Sequence, residues 1–86
     1  MEIMTKRYNK QLMKLSLELD EYIIKHPKEY DKIPDKAVIM ITLKYDKKFS
    51  DDSIALVRSH NPKQQIIKAE KAKTRWSLTP FELVAV

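Results

Sequence analysis

None of the 86 residues is glycine, and that absence restricts the chain's backbone more than any motif it carries. Phosphate cradles of the Walker and dinucleotide types need glycine where backbone passes close to a phosphate or takes positive φ, so neither can be built here. Tight turns are expected to fall to Asn, Asp and Pro. The four prolines, Pro27, Pro34, Pro62 and Pro80, then mark breaks between elements. There is no repeat, low-complexity tract or linker between them. A chain of this length makes one domain, residues 1–86, with a thin core that dimerisation would reinforce.

Hydrophobic spacing fills in the elements. Tyr8, Leu12, Leu15, Leu19 and Tyr22 follow steps of four, three, four and three, which predicts a helix between Thr5 and Lys25. Met13, Leu17 and Ile24 are read as widening its apolar stripe. His26 before Pro27 ends it, and Pro27 opens a single turn through Tyr30. The turn signature Ile33-Pro34-Asp35 leads into Ala37–Leu43, apolar at almost every position and so expected to be a strand buried on both faces. Ser50 is the expected cap of a second long helix, with Asp51 and Asp52 in its first turn, running to His60 and stopped by Asn61-Pro62. In residues 65–76, Ile66, Ala69, Ala72 and Trp76 fit a helix face, but the β-branched Ile66-Ile67 after a proline favours a strand.

The fold class this predicts is α/β: a small βαβ unit with a parallel strand pair, a long N-terminal amphipathic helix on one face and an extended C-terminal tail. Two strands alone make a poor sheet, so something must extend it. Phe81, Leu83 and Val84 of the tail are expected to pack on the same or a neighbouring subunit.

The longest apolar run is five residues, Ala37 to Ile41, and the N-terminus lacks the pattern of a secretory signal, so no membrane association is expected. There is no cysteine, which removes disulfide frameworks, zinc ribbons and thiol catalysis and agrees with a reducing compartment, the cytoplasm. The net charge of +5 is unevenly placed. Residues 1–57 carry 11 Lys/Arg against 10 Asp/Glu, whereas residues 58–86 carry 6 against 2.

The order of these signals resembles a small prokaryotic family of uncharacterised domains, a domain of unknown function. The resemblance rests on Leu15-Ser16-Leu17-Glu18-Leu19 in the first helix, His26-Pro27, Ile33-Pro34-Asp35, the apolar strand, the acidic helix start, and Lys73-Thr74-Arg75 with Pro80 and Glu82-Leu83. It implies the α/β fold and no particular activity. The chain departs from that pattern in a shorter middle helix and in lacking prolines in the loop before it.

Three groups of residues offer chemistry. Lys68, Lys71, Lys73, Arg75 and Trp76 form the one basic and aromatic interleaving, the mixture that grips phosphates and stacks on unpaired bases, although a lone Trp in a small domain more often fills a core. Asp46, Asp51 and Asp52 follow the carboxyl end of the buried strand, where an α/β sheet could present carboxylates to Mg²⁺, but no ligand motif of fixed spacing supports a metal or other cofactor. His26 and His60 stand at helix ends, where they favour the helix dipole without any catalytic partner. No catalytic residue is assigned. The first expectation is a non-enzymatic interaction module that homodimerises or takes another protein partner. The second is a nucleic-acid binder using the basic C-terminal third, and the third a metal-assisted hydrolase or phosphoryl-transfer enzyme.

Overall fold

A computed structural model describes residues 6–60 and 63–82. The elements run α1 (Lys6–Lys25), α2 (Pro27–Tyr30), β1 (Val38–Leu43), α3 (Lys47–His60), β2 (Ile66–Ala72) and β3 (Arg75–Phe81). They form a mixed α/β fold with a three-stranded sheet in the order β1-β2-β3. β1 and β2 are parallel, with Ile39 opposite Ile67 and Ile41 opposite Ala69, and α3 is the connection between them. The expected tail is the element that extends the sheet: β3 pairs antiparallel with β2, Trp76 opposite Lys71 and Leu78 opposite Ala69. Residues 83–86, also expected to pack, lie outside the described residues.

Side chains alternate across the sheet. Ile41, Leu43, Ile67, Ala69, Trp76 and Leu78 share one face with Tyr8, Leu15 and Leu19 of α1, and this is the main core. Met40, Thr42 and Ile66 alternate with those residues and are equally buried, so β1 is covered on both sides, as its unbroken apolar run predicts. Tyr8 joins the two long helices, its ring 4.9 Å from that of Phe49 and its hydroxyl 2.8 Å from Ser53 Oγ.

The sheet has two edges, and local chemistry blunts each. Val38 N–H donates to Gln65 C=O and Lys44 N–H to Lys71 C=O, so even-numbered residues of β1 face β2 and odd-numbered ones face outward. At Leu43 the outward groups are both taken by Ser50, whose Oγ accepts from Leu43 N–H at 2.9 Å and donates to Leu43 C=O at 2.8 Å. The same parity carried across β2 turns Trp76, Leu78 and Pro80 of β3 outward. Pro80 therefore sits where no N–H is needed, one of the few sheet positions proline tolerates, and it interrupts the row of donors that another strand would pair with.

Three sequence-based expectations change. Ser50 is not the cap of α3: the helix begins at Lys47, and Asp46 caps it by accepting from Phe49 N–H at 3.0 Å. A carboxylate three residues ahead of that N–H reaches it, whereas Ser50 is already one turn inside the helix and is committed to the strand edge. Asp51 and Asp52 consequently lie in the second turn and pair with Lys47 and Lys48 at 2.8 and 3.1 Å. The turns without glycine use lysine. Among the described residues, Lys36 (φ 63°) and Lys73 (φ 50°) take the positive-φ positions, the first in a turn closed by Ala37 N–H to Pro34 C=O, the second in the β2–β3 hairpin. Unbranched side chains tolerate this conformation, at about 1 kcal/mol each, where β-branched ones do not. Finally, Met13, Leu17 and Ile24 do not widen the buried stripe. They are 68, 65 and 76% exposed.

Candidate protein-contact surface

The five basic and aromatic residues singled out from sequence are not brought together on one surface. Trp76 is buried in the core, 5% exposed. Lys71 lies on the same face, half-buried, with its Nζ 5.9 Å from the centre of the Trp76 ring and paired with Glu18 of α1. Lys68 is opposite Met40 and Thr79, which places it on the other face of the sheet, half-buried. Lys73 and Arg75 are exposed at the hairpin. Two cations are thus free to meet a polyanion at the hairpin tip, and the aromatic ring that would stack on a base is covered by α1.

Between the C-terminal half of α1 and this hairpin runs a shallow groove of about 340 Å³, lined by Glu18, Tyr22, His26, Lys71, Lys73 and Thr74 among others. Four of its polar side chains are engaged within the chain. Glu18 and Lys71 hold each other, the Tyr22 and His26 rings stack at 4.2 Å, and His26 Nδ1 lies 2.9 Å from Tyr22 C=O. Tyr22 Oη approaches Glu29 Oε1 and the outward C=O of Trp76, both at 3.5 Å. The three aspartates after β1 are similarly committed, one to capping and two to lysines, and among the described residues no three His, Asp or Glu side chains are grouped as a metal would need. No described helix is long and apolar enough to cross a membrane.

What remains is the outer face of α1. At about 100° per residue, Met13, Leu17 and Ile24 fall within about 40° of one another and about 150° from the line of Tyr8, Leu12, Leu15 and Leu19. They form a second apolar stripe on the side of the helix away from the sheet. It continues at the corner between α1 and α2 into a hollow lined by Ile23, Ile24, Pro27, Lys28, Tyr30 and Asp31, where Tyr30 is 63% exposed. Single exposed apolar residues are ordinary; a row of them along one helix is the pattern of a contact surface. Residue type and rough spacing lead these three to be counted with the core, and the signal that separates them is helical phase.

A family model matches residues 7–74, from the second described residue of α1 to the β2–β3 hairpin. The chain belongs to DUF5647, a family of unknown function. The match takes in both long helices and the parallel strand pair, so the α1 stripe and the Ser50 edge contact lie within the DUF5647 region, whereas β3 lies beyond it. No curated protein and no solved structure matches the chain.

Proposed function

We propose that the protein is a non-enzymatic, cytoplasmic protein-interaction module that homodimerises, with the outer face of α1 as its contact surface. The observation that carries this reading is the row Met13, Leu17 and Ile24, three large apolar side chains at least 65% exposed in one line of a 20-residue helix. Burying such a row stabilises an assembly by roughly 25 cal/mol for each Å² of apolar surface removed from water. Strand-to-strand association is the less favoured route, because Ser50 occupies part of one edge and Pro80 interrupts the other.

Light scattering over a concentration series tests the proposal. The mass should rise from 10.2 kDa toward twice that value, the melting temperature should rise with it, and Leu17→Glu should hold the chain at the monomer mass with its circular dichroism unchanged. A wild-type mass that stays at the monomer value across the micromolar to millimolar range overturns it. The alternative, nucleic-acid binding through exposed Lys73 and Arg75 of the basic C-terminal third, requires oligonucleotide affinity that falls with salt by a log–log slope of about 0.7 to 0.9 per phosphate contacted.

A further inference from the structure

We infer that β3 is exchangeable between copies: the β2–β3 hairpin opens at Lys73-Thr74, and the β3 of each copy takes the place of β3 in the other. Ala72 is opposite Arg75, so the turn between the strands has two residues, and of these only Lys73 takes positive φ. A two-residue hairpin with positive φ at its first central position alone ordinarily has glycine there. Lysine carries a Cβ into that position, which destabilises the closed hairpin relative to an opened, extended hinge. Short hinge loops under strain are the ones that open to exchange an element between identical chains. Lys36, the other positive-φ position among the described residues, precedes β1 and has α3 and both other strands after it. No described helix or strand follows β3, so its departure displaces no other described element.

A second copy fits the vacated place because every contact its β3 makes there is already formed within one chain. Trp76 and Leu78 enter the core beside Ile67 and Ala69, Lys71 Nζ lies 5.9 Å from the centre of the Trp76 ring, and Lys68 is opposite Thr79. Exchange repeats these contacts between subunits and changes only the hinge. Without any β3, the edge of β2 is open and the core lacks two large side chains, so the place is refilled by the chain's own strand or by that of the other copy. The pairing used is the β2–β3 one. The outer edges at Ser50 and Pro80 and the outer face of α1 take no part, so the exchanged dimer is separate from the homodimer proposed above. One interaction opposes it. The two hinges pass beside each other, which brings exposed Lys73 and Arg75 close to Lys73 and Arg75 of the partner subunit, a repulsion that salt screens. Because β3 must first detach, exchange is slow, and freshly prepared protein is the closed form.

Because the chain has no cysteine, exchange can be read by an introduced disulfide. Lys68→Cys and Thr79→Cys, placed together in a Leu17→Glu chain, stand opposite each other at about 5.5 Å between Cα atoms, within disulfide reach. The reduced protein is incubated at millimolar concentration and high salt a few degrees below its melting temperature, diluted to micromolar concentration and oxidised. A fraction of doubled mass should survive dilution, run as a covalent dimer on a non-reducing denaturing gel, and grow with salt. Adding Lys73→Gly should lower the association constant by about 25-fold, about fivefold for each of two hinges, and Lys73→Val should raise it. A surviving dimer whose disulfides all remain within single chains overturns the exchange. So does a Lys73→Gly dimer as abundant as that of the parent, and so does the absence of surviving dimer from both the parent and Lys73→Val. The homodimer is decided separately, by freshly prepared wild-type protein, so either can fail while the other stands.

Discussion

Thr42 is the polar residue that sits least comfortably in the fold. It is 3% exposed on the sheet face away from the main core, between Met40 and Lys44 in sequence, and its Oγ1 is a buried side-chain oxygen without a hydrogen-bond partner. A hydroxyl removed from water and left unpaired costs about 1 to 3 kcal/mol, and valine has nearly the same shape without the oxygen. Thr42→Val should therefore raise stability by about 1 kcal/mol, read as a melting temperature higher by about 4 to 8 °C; a lower melting temperature would mean that the hydroxyl is bonded in solution. Nothing in the string Ile41-Thr42-Leu43 distinguishes this oxygen from the surface threonines of other strands. Its burial depends on what lies over the second face of the sheet. Trp76 presents the converse case: the basic residues around it suggest a ligand, while strand alternation with Leu78 already puts both on one face, toward α1.

At the level of elements, the start of α3 divides its work between two side chains that look interchangeable in sequence. Asp46 caps the helix and Ser50 closes the β1 edge at Leu43. Ser50→Ala leaves the Leu43 N–H and C=O without their partner and should cost about 1 to 2 kcal/mol, measured as a lower urea midpoint with unchanged slope. A loss of a few tenths would show that water replaces the serine without penalty. The boundaries of α1, α2 and β1 were legible because Pro27 and Pro34 act through local sterics, and the start of α3 was displaced by four residues, its cap moving from Ser50 to Asp46, because two capping side chains compete within one turn. The strand identity of residues 66–72 was legible from Ile66-Ile67, but β3 was visible only as an extended tail. Its pairing with β2 depends on the hairpin at Lys73-Thr74, which lacks the Asn or Gly that announces such turns.

The molecule as a whole is held at one point by Tyr8, which joins α1 to α3 across the β1 side of the core. Burial pushes the Tyr8 phenol above its ordinary value of 10.0, and the negative charge of Asp52 adds to this, against the opposing hydrogen bond with Ser53. The sign for stability follows. The unfolded chain ionises first, so the contribution is complete below pH 10.0 and is lost as pH rises through the higher folded value. Urea titrations at increasing alkaline pH should show the midpoint falling, and Tyr8→Phe should fall less steeply at the cost of the Ser53 bond at neutral pH. Equal slopes for the two proteins would show that Tyr8 does not drive the alkaline loss.

Local physics, readable from the chain alone, determined the helices and the first strand and tilted residues 66–72 toward a second. Periods of 3.6 and 2, prolines that forbid particular dihedrals, and an apolar run too continuous for a one-sided strand each act within a few residues of where they are written. The α/β class and the parallel pair follow from that order of elements, while membership of an uncharacterised family rests on the match over residues 7–74. Partnership across the fold was decided only in three dimensions: Lys71 with Glu18, Tyr8 with Ser53, Ser50 with the β1 edge, and the burial of Trp76. The division of α1 into one covered and one open apolar stripe belongs to the same class. A helix of this composition has two faces able to bury apolar surface, and the sheet, one layer deep, can cover only one of them.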